Sequence, residues 1–183
     1  MMRKTFLLAS IIFIFIFTSG WSNNDMLTGN INFENYMIQK ITDTEKETER
    51  TELMEKKLRY LKAPEKSIPR IRKSIDIAHF ATKYKPELIM AIMVVENPDF
   101  NPTAVSPKGY KGLMQTKPAT GIPEVDTLHG AMEFDFWNTQ AKGDMLKALA
   151  MYNGGFKYHN TKGCRKYANN VYRIYNELLK IER

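Results

Sequence analysis

The most constraining feature of this chain is an apolar run that ends on an acid. Residues 86–96 read PELIMAIMVVE, and NPDFNP follows without a break. Pro86 suits the first turn of a helix, where its missing N–H costs nothing. Leu88, Ile89, Ile92 and Val95 recur at helical spacing, so the run predicts a helix with a buried face. Glu96 lies four residues after Ile92, on the same side as that face. A carboxyl group there is poorly solvated. Poor solvation disfavours the charged form and raises the pKa, as a general acid working near neutral pH requires. The plainer reading is a helix-end glutamate pointing into water. Position argues against it, because the last carbonyls of a helix already present negative charge and disfavour an anion. An acid beside apolar residues and just before Pro98 is locally unfavourable, and such exceptions often mark function.

Downstream the chain reads Phe100-Asn101-Pro102, Ala104-Val105-Ser106, Gly109, Gly112-Leu113-Met114-Gln115 and Pro118-Ala119-Thr120. In that order, behind an apolar helix ending in Glu96-Asn97, these residues resemble the first signature of the lytic transglycosylase catalytic (SLT-type) domain, a family related to goose-type lysozymes. Two positions depart from it: Asn97 stands where the family usually has Ser, and Tyr110 where it usually has Ala. Asn97 keeps the capacity to hydrogen-bond a sugar or a backbone group. Further on, Met151-Tyr152-Asn153-Gly154-Gly155 resembles the family's Ala-Tyr-Asn-Ala-Gly signature. Gly130 resembles the Gly of its Asn-Ile-x-x-Gly segment, and Tyr167 the Tyr of its closing Asn-Tyr-Val segment. The resemblance runs from Ser67 to Tyr175.

The resemblance implies a lysozyme-like, all-α or nearly all-α domain with a glycan-binding cleft. It implies an enzyme, a peptidoglycan lytic transglycosylase, that cleaves the β-1,4 bond between N-acetylmuramic acid and N-acetylglucosamine without water and leaves 1,6-anhydro ends. Glu96 is then the catalytic residue. Substrate contacts are expected from Asn97, Ser106, Met114, Gln115, Tyr152, Asn153 and Tyr167. In the family the matching Gln lines the cleft near the acid, and the matching Tyr sits over it, so Tyr167 is expected to hydrogen-bond the Glu96 carboxyl. On the residues alone, Leu113 and Met114 are most simply core, Gln115 an exposed turn residue and Tyr152 a core aromatic with a satisfied hydroxyl. Two other functions stay open. A lysozyme-like muramidase adding water would want a second carboxylate across the cleft, with Glu124, Asp126 and Asp135 as candidates. A non-catalytic peptidoglycan-binding module would serve an envelope-spanning machine.

Composition narrows the setting. A chain of 183 residues with 43% hydrophobic content predicts one globular domain. The net charge is +7, of which Arg3 and Lys4 supply two. A modest positive excess suits an anionic polymer, but no Lys/Arg block with interleaved aromatics appears, so nucleic acid is not an expected partner. Arg3 and Lys4 precede an apolar run from Phe6 to Phe17 that only Ser10 interrupts, and Thr18-Ser19-Gly20 follows. This reads as a secretory signal, or as an uncleaved anchor, and is short for a membrane span, which needs about 20 residues. Export to the periplasm or cell envelope is expected. Cys164 is the sole cysteine and cannot form an internal disulfide. His79, His129 and His159 are isolated from one another, so neither metal nor cofactor is expected. A monomer is expected, with peptidoglycan strands as partner and secretion, conjugation or flagellar machinery as further candidates.

The expected organisation is a signal or anchor over 1–20, a spacer and charged helix over 21–66, and the catalytic domain over 67–183. Residues 21–42 read as a flexible spacer. Thr44 and Glu47 form a capping box for a helix over 43–59 with a thin stripe of Leu53, Met54 and Leu58. A helix from Pro69 to Tyr84 turns Ile71, Ile75, Ile77, Ala78 and Ala81 inward. Gly112 to Thr116 begins a short helical turn. A helix over 125–140 carries Phe134, Phe136 and Trp137 as core or cleft floor. Another over 144–153 turns Met145, Leu146, Leu149 and Ala150 inward and stops at Gly154-Gly155. The last, over 164–181, keeps Tyr167, Val171, Ile174, Tyr175, Leu178 and Ile181 on one face.

Overall fold

The computed structural model describes residues 25–117 and 119–182, so the signal or anchor expected over 1–20 lies outside the described residues. Among the described residues six α-helices follow in order: α1 Asp25–Tyr60, α2 Ile68–Thr82, α3 Pro86–Glu96, α4 Pro123–Gln140, α5 Met145–Tyr158 and α6 Lys162–Leu179. Among the described residues there is no strand, only the isolated antiparallel bridges Val105–Lys111 and Lys111–Thr116. The all-α expectation holds. None of the described helices is long and apolar enough to cross a membrane.

The chain divides into two compact units, residues 1–49 and 50–183. In the first, helix already begins at Asp25, where a spacer was expected. No proline interrupts residues 25–63, and a helix once nucleated propagates through polar residues at little cost. Thr44 therefore sits inside the helix and starts nothing. Its carbonyl accepts a hydrogen bond from Thr48 Oγ1 at 2.9 Å, the i−4 pattern of a helix interior.

The second unit begins at residue 50 and takes in the last turns of α1 together with the residues from 67 onward. The reason is burial: Met54 and Leu58 are core residues, and Lys57, only 4% exposed, pairs with Glu87 of α3 at 2.5 Å. Around α3 the other helices assemble. α3 packs on α2 and α6, α4 on α2 and α5, and α5 on α6. Every residue from Leu88 to Met93 is buried, as a helix apolar all round must be. α2 ends at Lys83 in the left-handed region with φ 64°. Asp144 caps α5 by accepting from Lys147 N, and Thr161 caps α6 by accepting from Cys164 N.

Several inward assignments need correction. Ile77, Ala81 and Leu146 are exposed, because their helices turn Ile75 and Ala78, and Ala148 and Leu149, to the core instead. Of the α4 aromatics only Phe134 is core; Trp137 is half-buried and Phe136 is on the surface. The regular run of α5 does end at Gly154-Gly155, as expected: Gly155 takes φ 64° and ψ −170°, and a separate helical turn carries on from this kink to Tyr158. Residues 112–116 form a tight loop rather than a helical turn, closed by Lys111 N to Thr116 O at 3.2 Å and Thr116 N to Lys111 O at 2.9 Å. Gly112 and Gln115 adopt φ of 79° and 49°, which no right-handed turn of helix admits.

Candidate active site

Glu96 is the last residue of α3, and the loop behind it is tied down by one side chain. Asn97 is buried. Its Nδ2 donates to Asn101 O at 2.6 Å and Gly112 O at 3.1 Å, while its Oδ1 accepts from Asn101 N at 3.0 Å. Both amide hydrogens are thus used inside the protein, and Asn97 braces the loop rather than facing a cleft. Phe100 anchors the same turn, 1% exposed despite a φ of 49°. Ser106 Oγ accepts from Tyr110 N at 3.0 Å, a second internal brace. Downstream, Asp126 reaches from the first turn of α4 and accepts from Thr120 N at 2.7 Å, Thr120 Oγ1 at 2.8 Å and Gly121 N at 3.0 Å.

The Glu96 carboxyl is half-buried and touches α6. Tyr167 Oη donates to its Oε1 at 2.7 Å, the hydrogen bond expected from the sequence. Burial pushes the Glu96 pKa up, the Tyr167 hydroxyl pulls it partly back, and the charge of Glu133 raises it further. Burial also raises the hydroxyls of Tyr167 and Tyr152 well above the ordinary tyrosine value, with the Glu96 charge next, so both stay protonated donors. Tyr152 Oη donates to Met114 O at 3.0 Å and holds the 112–116 loop against α5. Its ring meets Phe134 edge-on at 6.2 Å.

Glu133 is the residue that sequence reasoning missed. It sits half-buried on α4 and acts electrostatically on Glu96, Tyr152 and Tyr167. Burial raises its own pKa. Trp137, one turn on, opposes that rise, although its buried Nε1 makes no hydrogen bond of full geometry. Glu133 lines a cavity of about 320 Å³ with Thr116, Lys117, His129 and Met132. The three carboxylates considered from the sequence are engaged elsewhere. Glu124 pairs with Arg70 at 3.5 Å, Asp126 holds the 120–121 turn, and exposed Asp135 accepts from Tyr84 Oη at 2.7 Å.

The remaining expected contacts divide. Gln115 is half-buried, and its Nε2 donates to Gly112 O at 2.9 Å. Asn153 is exposed on α5. Met114 is fully buried and offers no surface to a ligand, because α4 crosses directly over it: a Cβ on Gly130 would stand 2.7 Å from Met114 Cβ and 2.9 Å from Thr116 Cγ2. That close approach is what requires glycine there. Four helices therefore converge on one point, with Glu96 from α3, Glu133 from α4, Tyr152 from α5 and Tyr167 from α6. The arrangement raises the hold of the Glu96 carboxyl on its proton and fixes that carboxyl by a hydrogen bond, as a proton donor requires.

Comparison with known proteins supplies a matching family model and a similar fold. Residues 73–125 match the family described as Transglycosylase SLT domain. Among solved structures, the chain is similar to an inactive mutant of the lytic transglycosylase Slt from Pseudomonas aeruginosa, in which a glutamate is replaced by glutamine. The TM-score is 0.52 at 20% identity, over 61% of this chain and 25% of that one. The chain thus spans about a quarter of the length of the structure it matches. No curated protein matches it.

Proposed function

We propose, from the premise of an SLT-type transglycosylase domain on a lysozyme-like fold, that this protein is a peptidoglycan lytic transglycosylase cleaving the N-acetylmuramic acid–β-1,4–N-acetylglucosamine bond. The observation that carries the reading is Glu96, a half-buried carboxyl with a raised pKa, held by Tyr167 Oη at 2.7 Å. A protonated carboxyl has one carbonyl oxygen and one hydroxyl. Tyr167 donates to Oε1 and marks it as the acceptor, which leaves the acidic proton on Oε2. Glu96 first gives that proton to the leaving glycosidic oxygen. As a carboxylate it then takes the proton of the muramyl C6 hydroxyl, whose oxygen attacks C1 and closes the 1,6-anhydro ring. The acetamido group of the substrate shields C1 between the steps, so no protein nucleophile is required. Gln115, Tyr152 and Asn153 are the groups we assign to the sugar.

A second reading rests on Glu133. A second carboxylate across the cleft is what a muramidase uses to activate water, and we assign that role to Glu133, whose charge acts on Glu96. We set either activity in the periplasm or cell envelope, with the N-terminal basic and apolar segment directing export, and with the protein acting as a monomer or beside envelope machinery. Mass spectrometry of soluble products from purified peptidoglycan tests the choice, with Glu96→Gln as control. Products one water lighter than hydrolysis would release, absent in the control, are expected. Hydrated products would move the assignment to the muramidase. No product from either protein would leave a binding module.

A further inference from the structure

One surface feature outside the acid's immediate surroundings is built from aromatic residues. Phe136, 50% exposed, meets the Trp137 ring edge-on with centroids 4.9 Å apart. Phe156, 59% exposed, meets the other side of Trp137 at 5.1 Å. The kink at Gly155 allows the second contact, since its backbone turns there and Trp137 Cη2 lies 3.8 Å from where a Cβ would stand. Exposing two phenylalanines around a tryptophan costs a monomeric protein apolar burial, and a contiguous patch of this kind marks a binding surface.

Its place on the fold identifies the occupant. Positions 129, 132, 133 and 136 follow one another at helical spacing, so they share a face of α4. His129, Met132 and Glu133 line the 320 Å³ cavity, and the charge of Glu133 acts on Glu96. Phe136 and Trp137 continue that face by one turn, a rise of about 5.4 Å. Phe156 follows the break at Gly155 in α5 and joins this face through its contact with Trp137. The aromatic cluster therefore continues the Glu133 face of α4. A β-1,4-linked N-acetylhexosamine ring carries its substituents equatorially, so each broad face presents only C–H groups. Such a face fits the electron-rich face of an aromatic ring.

We propose that Phe136, Trp137 and Phe156 form a stacking surface for a further sugar ring of the glycan strand, continuous with the cavity at Glu133. The inference rests on the glycan-cleaving reading of the site and adds a subsite to it. It predicts that affinity grows with oligosaccharide length through these three residues.

The test titrates the full chain carrying Glu96→Gln with chitobiose and chitotetraose, followed by calorimetry and by tryptophan emission. Phe136→Ala and Phe156→Ala should each weaken chitotetraose about tenfold, the loss expected of one aromatic contact. Chitobiose binding should stay unchanged, and Phe156→Tyr should restore the tetramer. Both side chains are surface-exposed, so far-ultraviolet circular dichroism should match the parent. Unchanged tetramer affinity in both alanine variants overturns the proposal, and loss of self-association in the same variants would assign the patch to a second copy of the chain. If the parent binds no tetramer while wild type still releases anhydro products, this subsite alone fails. If wild type also releases nothing, the glycan-cleaving reading fails with it.

Discussion

Glu96 and Glu133 are both half-buried glutamates whose pKa values burial raises, yet their surroundings differ. Around Glu96 the structure is fixed. Asn97 bonds to three backbone atoms behind it, Phe100 is locked in the core, and Tyr167 holds one carboxyl oxygen. Around Glu133 it is open. A cavity adjoins it, Met132 and Phe136 on the same helix face are exposed, and the Trp137 N–H beside it makes no hydrogen bond of full geometry. The contrast teaches where this fold concentrates its polar bonds. A carboxyl that must release a proton in one direction needs a fixed rotamer, and that requires a supporting shell. A groove that must accept a long polymer needs surface and room.

Substitutions can break that contrast, the largest effect falling on the acid itself. Glu96→Gln should lower peptidoglycan turnover by about 10²–10⁴-fold. The same change should raise Tm at pH 7. Folding raises the Glu96 pKa, so the native state holds that proton more tightly than the unfolded chain and loses stability as pH climbs past the unfolded carboxyl value. Glutamine removes that penalty. Lost activity with a lowered Tm would mean that Glu96 supports the fold instead. The fixed region should next reveal itself in stability. Asp126→Ala strips three hydrogen bonds from a buried carboxylate and should cost about 3 kcal/mol in urea unfolding. Phe136→Ala, on the open face, should cost about 1 kcal/mol or less. Equal losses would erase the distinction between the two regions.

Tyr167→Phe sharpens the contrast within the site. It removes the donor at Oε1 while leaving the ring in place. The carboxyl loses its rotamer lock, and kcat should fall about tenfold. That hydroxyl also holds the Glu96 pKa down, so its loss raises the pKa further. An acid with a higher pKa stays protonated to higher pH, and the basic limb of the pH–rate profile should move upward. A downward move would show that Tyr167 does not act on the acid in the working enzyme.

The fixed region was the legible one, for a physical reason. Between Glu96 and Thr120 each signature residue performs a backbone task at a set spacing: Asn97 spans to Asn101 and Gly112, and Gly112 turns at φ 79°. Spacing of that kind survives in the sequence as a motif. The left-handed backbone at Gln115 does not, because a non-glycine residue gives no compositional sign of it, and a helical turn was expected there. The start of α1 was hidden because polar helical residues without an apolar stripe show no period. Glu133 was hidden for a third reason. Helix α4 carries two pairs of acids, Glu124 with Asp135 on one face and Asp126 with Glu133 on the opposite one. Which of them faces α3 depends on how α4 packs on α2 and α5, and in particular on Gly130 seating over Met114. Periodicity separates buried from exposed but does not say which helix a face meets.

The smallest expected shift is also the most discriminating. Glu133→Gln removes a negative charge near Glu96 while keeping the shape of the side chain. Like charge raises a carboxyl pKa, so its removal lowers that of Glu96, and the basic limb of the pH–rate profile should move downward, opposite to Tyr167→Phe. The movement should be the smaller of the two, because the Glu133 charge influences Glu96 less than the Tyr167 hydrogen bond does. If Glu133 only tunes the acid, turnover below the limb persists and the products stay one water light. If Glu133 activates water, the same variant should lose about 10²–10⁴-fold of its hydrolytic turnover at every pH. One substitution, read by product mass and by pH profile together, therefore decides whether Glu133 only biases the acid or takes part in the chemistry.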